Sequence, residues 1–233
     1  MAVYALSDLH LTFQAEKPMN VFGAGWANYE QRILKNWNET VLPCDEVLMP
    51  GDISWGMYLS ETVEDFKFID SLPGIKYISK GNHDYWWETV TKMNAFLEEH
   101  SLKTIRFVYN SAFETEEFVV CATKGYEKDT EERLKARELI RLENSLIAGK
   151  KLKSEKPIVA MLHYPPFFKN GSLIDEIAEI LKKYDVKYCV YGHIHTKNHS
   201  CPENEMIDGI SYKLVSSDRV DFCPVRVANL KNS

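Results

Sequence analysis

Five short polar motifs, each closing or following an apolar run, constrain this chain more than any other feature. They are Asp8-Leu9-His10, Gly51-Asp52, Gly81-Asn82-His83-Asp84, His163-Tyr164-Pro165-Pro166 and Gly192-His193-Ile194-His195. The apolar runs read as β-strands, and loops at strand ends converge in space. Together the motifs supply three carboxylates, five histidines and one asparagine. Oxygen and nitrogen donors in that mixture suit hard or borderline divalent metals.

Between the motifs, strands alternate with helices. Strands are predicted at Val3 to Leu6, Val47 to Met49, Tyr77 to Ser79, Ile158 to Leu162 and Val186 to Tyr191. Helical spacing covers Trp26 to Val41, Glu61 to Leu72, Glu88 to Glu99, Lys128 to Ala148 and Leu173 to Leu181. In the middle, Ile105 to Tyr109 and Phe118 to Thr123 read as successive strands, with Ser111 and the Glu-rich stretch after it as their turn. Ile210 to Ser216 and Pro224 to Leu230 read as two closing strands. This order favours a sheet core flanked by helices, in one domain spanning 1–233.

Charge and cysteine usage narrow the class further. The net charge of −6 leaves no footprint for nucleic acid or an acidic membrane surface. Five cysteines without a C-x-x-C pair suit a reducing compartment, and Cys121 and Cys189 fall within apolar runs as small buried hydrophobes. The N-terminus meets Asp8 too early for a signal peptide, and no apolar run nears the roughly 20 residues of a membrane span. A cytoplasmic location is the resulting expectation.

Taken singly, the motifs are ordinary. A surface Asp and His two apart are commonplace, although on an extended segment both side chains share one side. Asp52 alone is a turn or N-cap aspartate, and a lone histidine is more often a satisfied core or surface residue than a ligand. Five of the seven histidines at strand ends, beside carboxylates, change the balance. His100 and His199 read as surface residues.

The order and content of the five motifs resemble the calcineurin-like metallophosphoesterase superfamily, from Asp8 to His195. The resemblance implies an α/β (α+β) fold: a four-layer β-sandwich of two mixed sheets flanked by helices. It implies two metal ions per chain, drawn from manganese, iron or zinc. One would be held by Asp8, His10, Asp52 and His195, and the other by Asp52, Asn82, His163 and His193, with Asp52 as bridge. A hydroxide made available by the two cations would attack phosphorus. His83, polarised by Asp84, would assist the leaving group.

Departures from relatives shape the substrate expectation. Protein phosphatases of the superfamily carry an arginine in the segment after GD and glutamate after GNH, whereas Gly51 to Gly56 holds no arginine and this chain has Asp84. Ser7 to Leu11 is similar to lipid A precursor pyrophosphatases, which need an apolar cap, and Trp26, Trp86, Trp87, Phe167 and Phe168 are candidates for one. Trp86, Trp87 and Tyr164 to Phe168 are also candidate walls for an aromatic leaving group, while the bland reading puts most of these rings in the core. The expected function is hydrolysis of a small or medium phosphate ester, a diester slightly before a monoester. The alternatives are a lipid-linked pyrophosphate hydrolase, a nuclease, or a noncatalytic scaffold with no enzymatic role. No protein partner and no stable membrane insertion are expected.

Overall fold

In a computed structural model, the described residues are 1–14, 17–127, 129–195 and 199–228. In chain order they form β1 (Val3–Ala5), α1 (Tyr29–Thr40), β2 (Glu46–Met49), α2 (Val63–Ser71), β3 (Ile75–Ile78), α3 (Val90–Glu99) and β4 (Ile105–Phe107). There follow β5 (Ser111–Glu114), β6 (Val119–Thr123), α4 (Glu132–Lys151), β7 (Ile158–Leu162), α5 (Asp175–Lys183) and β8 (Val186–Tyr191). The chain closes with β9 (Asn204–Ile207), β10 (Ile210–Leu214) and β11 (Val225–Arg226).

Two mixed sheets pack face to face, with strand orders β11-β1-β2-β3-β4 and β5-β6-β7-β8-β10-β9. Val3, Ala5 and Leu48 of the first sheet meet Val120, Val159, Met161 and Val190 of the second in a buried middle layer. The outer face of the first sheet is covered by Ile33 and Trp37 of α1, Phe66 and Ile69 of α2, and Met93 of α3. Leu142 and Leu146 of α4 and Ile177 and Leu181 of α5 cover the second. The result is the expected four-layer sandwich, with the inner strands β2, β6 and β7 buried on both faces and hence largely apolar along their length.

Local sequence explains the elements. In α1, Tyr29, Ile33 and Trp37 recur every four residues and are all buried, which is the period of one helical face. Strand β2 is buried at all four positions and stops at Pro50-Gly51. On α4 the buried face is Glu138, Leu142, Ser145, Leu146 and Gly149, whereas Ile140 is exposed. Gly149 lets the helix approach the sheet, since a Cβ there would lie 2.6 Å from Cys121 Sγ.

Three expectations are corrected. The turn predicted at Ser111 is strand β5, an antiparallel edge on β6, because Phe113 stacks on Tyr77 at 4.1 Å and gives the segment an apolar anchor. Strand β9 was not anticipated, since its residues are exposed or half-buried and carry no apolar period; it pairs with β10 across Asp208-Gly209. The last predicted strand shrinks to Val225–Arg226, and residues 229–230 of that prediction lie outside the described residues, as does Lys128 of the predicted long helix.

Candidate metal centre

Strands β1, β2 and β3 run parallel, as do β7 and β8 in the other sheet. Their carboxyl ends therefore deliver all five motifs to one edge of the sandwich. Asp8, His10, Asp52 and His193 take left-handed backbone angles, with φ of 55°, 47°, 53° and 72°. Such angles are uncommon outside glycine and gather where surrounding structure fixes a functional geometry. Gly81 and Gly192 let the loops interlock: a Cβ on the first would sit 2.0 Å from Asp52 Oδ1, and one on the second 2.3 Å from Asp8 Oδ2.

Two groups of donor atoms result, Asp8 with His10 and His195, and Asp52 with His163 and His193. In the first, His195 Nε2 lies 3.2 Å from His10 Nε2 and 3.6 Å from Asp8 Oδ1. In the second, His163 Nε2 lies 3.5 Å from Asp52 Oδ2. Asn82 Oδ1 joins it, 2.6 Å from His163 Nε2 and 2.9 Å from His193 Nδ1. Asp52 Oδ2 is also 3.9 Å from His10 Nε2, so one carboxylate oxygen stands between the two groups.

Polar neighbours fix each donor. His163 Nδ1 donates to the Pro50 carbonyl at 2.8 Å, which leaves a lone pair on Nε2. His195 Nδ1 donates to Asp218 Oδ1 at 2.8 Å with the same consequence. Asp8 accepts from the hydroxyls of Ser7 and Ser216 and from the His193 backbone N–H. The Tyr29 hydroxyl donates to the His10 carbonyl at 2.9 Å.

The donor set fits divalent cations. Lone pairs of His163 and His195 face carboxylate oxygens of Asp52 and Asp8, and only positive charge between them makes that arrangement attractive. Titration tendencies agree. Burial drives His10 well below its ordinary pKa, His163 to about 4 and His193 to about 3, so these rings stay neutral, as metal donors must. Burial, then the charges of Asp8 and Asp84, push Asp52 well above the carboxylate range. Burial would also raise Asp8, but charge on His195, the first of the groups opposing it, helps hold the carboxyl low. Burial lowers His195, yet its bond to Asp218 carries it above its ordinary value.

Asp84 does not orient the His83 ring. Its Oδ2 accepts from the backbone N–H of Asp52 at 2.9 Å and of Gly81 at 2.7 Å, and its Oδ1 from Ile53 at 2.9 Å and the Trp86 indole at 3.1 Å. Buried amides in the two interlocked turns need acceptors, and this carboxylate is used up on them. His83 Nδ1 is buried without a hydrogen-bond partner. Its ring is instead held by Trp55, at 4.5 Å between centroids, and Trp55 also stacks on His10 at 4.9 Å and 22°.

The candidate aromatic walls are corrected as well. Trp86 is 1 % exposed and packs on Phe66, and Trp87 packs on Phe107 and Tyr109, so neither faces the site. Trp26 and Phe167 are buried as well, yet both line cavities beside the site. Phe167 and Phe168 do line a small cavity of about 240 Å³ beside His193 and His195. A larger cavity of about 790 Å³ opens on the other side, bordered by His10, His83 and His195 and walled by Trp55, Trp26, Met19 and Phe22. Sequence reasoning missed Asp218 and Trp55: the first is a lone acid in a polar loop, the second one residue of a segment noted only for its lack of arginine.

Residues 1–197 match the calcineurin-like phosphoesterase family, and the chain belongs to it. None of the curated proteins matches. Among solved structures, a Thermus thermophilus protein is similar at 15% identity and TM-score 0.60, over 98% of this chain and 98% of that one. A protein of unknown function from Aquifex aeolicus is similar at 18% identity and TM-score 0.54, over 96% and 94%. Phosphopantetheinyl hydrolase from Mycobacterium tuberculosis is similar at 12% identity and TM-score 0.52, over 94% and 90%. At these identities the likeness is one of fold. No helix among the described residues is long and apolar enough to cross a membrane.

Proposed function

We propose that the chain is a binuclear metallohydrolase that cleaves a phosphate ester, a diester in preference to a monoester. The observation that carries this reading is the place of Asp52, whose Oδ2 lies 3.5 Å from His163 Nε2 and 3.9 Å from His10 Nε2, between two separate donor groups. Asp8, His10, Asp52 and His195 would hold one cation, and Asp52, Asn82, His163 and His193 the other. Bound divalent cations supply acidified water and neutralise charge on phosphate oxygens.

The remaining work falls to the chain itself. His83 borders the larger cavity and is the group positioned to meet a departing oxygen. Burial lowers its pKa, so near neutral pH the ring is uncharged and offers one N–H as a hydrogen bond to that oxygen. Trp55 holds the ring at the correct tilt, while Asp84 pins the two loops that carry Asp52 and Asn82. A diester carries one negative charge and a monoester up to two. The segment Gly51 to Gly56 carries no arginine to grip the second, and Trp55 within it has the ammonium of Lys17 over its ring, at 4.6 Å.

The test is hydrolysis of bis-p-nitrophenyl phosphate against p-nitrophenyl phosphate by manganese-reconstituted protein. A higher kcat/KM for the diester is expected. A monoester preference overturns the diester assignment, and inactivity on both substrates overturns the hydrolase reading.

A further inference from the structure

The 790 Å³ cavity is far larger than a phosphate group requires, and its chemistry indicates what else it holds. We infer that it is the leaving-group pocket, shaped for a phosphate ester whose leaving group ends in a flat, uncharged aromatic ring, at about the size of a nucleoside. This rests on the phosphohydrolase reading above.

Three observations lead there. The first is position: His83, the residue assigned above to the departing oxygen, forms part of the wall, so on that reading the group that leaves enters this cavity. The second is the strap over residues 19–26, two short 3₁₀ turns. Its ends are anchored by Met19 and Trp26, which are buried, while Phe22 between them is 65 % exposed and still lines the cavity. Among the described residues Phe22 takes part in no ring contact, although its neighbour Trp26 makes several. Gly23, at φ 127°, turns the chain between the two 3₁₀ turns in a conformation that side-chain-bearing residues rarely adopt. A large apolar ring held out of the core at the rim of a reaction cavity is a platform waiting for a partner face.

The third observation is charge at the far wall. Arg32 already donates to the Gly25 carbonyl at 2.7 Å and to Asp221 Oδ1 at 2.6 Å, and lies 4.3 Å over the Phe222 ring. Asp218, which accepts from His195, brings a second carboxylate to the lining, and the ammonium of Lys17 lies over the Trp55 wall at 4.6 Å. The carboxylates offer acceptors to the N–H and O–H donors of a nucleoside, and with charge balanced at the lining the aromatic walls favour a neutral aromatic group.

The experiment compares pairs that share one scissile bond and differ only in the base: uridine 5′-phosphate against ribose 5-phosphate, each as the monoester and as its methyl diester. Manganese-loaded protein is expected to release uridine with a kcat/KM about tenfold above ribose, the size of one aromatic–base stack. Phe22→Ala should shrink that ratio about tenfold. Uridine alone should quench tryptophan fluorescence saturably, ribose should not, and Phe22→Ala should raise the half-saturating concentration about tenfold. Equal kcat/KM for the paired esters, an unchanged ratio in Phe22→Ala, or no uridine release by protein that cleaves bis-p-nitrophenyl phosphate would overturn the pocket assignment alone. Inactivity on every ester, bis-p-nitrophenyl phosphate included, would overturn the hydrolase reading and the pocket assignment with it.

Discussion

Gly81→Ala places one methyl group where the two loops of the centre interlock. The new Cβ would lie 2.0 Å from Asp52 Oδ1 and 2.3 Å from the Asp52 backbone nitrogen, whereas ordinary contact begins at 3.4 Å. A change of the Asp52 rotamer relieves the first clash but not the second, so the backbone carrying Asp52 has to retreat. Overpacking of this kind costs about 1–3 kcal/mol, which for a chain of this size lowers Tm by roughly 2–12 °C. The effect on function should be larger. Displacing a reacting constellation by about 1 Å costs on the order of 10²-fold in rate, and Asp52 sits between both donor groups. The assay has three parts: melting in chelator, metal content after dialysis, and hydrolysis of bis-p-nitrophenyl phosphate. The expected result is a modest loss of Tm, a clear loss of bound metal and about 10²-fold lower activity. Wild-type activity and metal content in this variant would refute the interlocked-loop account.

Further outcomes follow from the same geometry. His83→Ala should lower turnover by about 10²–10⁴-fold with metal content intact, and equal metal loss would make His83 a ligand or a structural residue instead. Asp218→Ala frees His195 Nδ1 from its 2.8 Å bond and should weaken metal retention about 10–100-fold in a chelator competition; unchanged affinity would contradict the role given to Asp218. Asp65, buried against the Ser54 hydroxyl and the Phe13 backbone N–H, has its carboxyl pushed from 3.8 up to about 6, chiefly by burial. Its folded-state pKa is raised, so its contribution is present below about pH 4 and is lost as pH rises through about 6. Urea denaturation should therefore show Asp65→Asn gaining on the wild type between those pH values, by at most roughly 3 kcal/mol; a flat difference across the range would sink the assignment.

What could be read from the residues follows a physical divide. Buried parallel strands such as Ile158 to Leu162 announce themselves as continuous apolar runs, and their ends locate Asp8, Asp52, Asn82, His163, His193 and His195. Periodic helices such as α1 were visible for the same reason. Strand β9 was not, because an exposed edge needs no apolar pattern and takes its shape from β10. Trp86 looked like a pocket wall because it follows the loop at Gly81, yet its indole is turned inward by the Asp84 carboxylate. Asp84 itself was read as a partner for His83 from adjacency in sequence. Two of the backbone amides that claim it belong to residues 52 and 53, some thirty positions away, and no local pattern reveals them. Asp218 and Phe22 reach the site through loops whose course is set by tertiary packing, beyond what composition or spacing encodes.

The central claim is that one carboxylate joins two cations and that both are needed. It is tested most directly by titrating chelator-stripped protein with manganese while following bound metal per chain and hydrolysis of bis-p-nitrophenyl phosphate. Two ions per chain are expected at saturation, with activity appearing as the second binds, and loss of that second ion and of activity is expected in Asp52→Ala. Full activity at one ion per chain, or in protein stripped of metal, would contradict it.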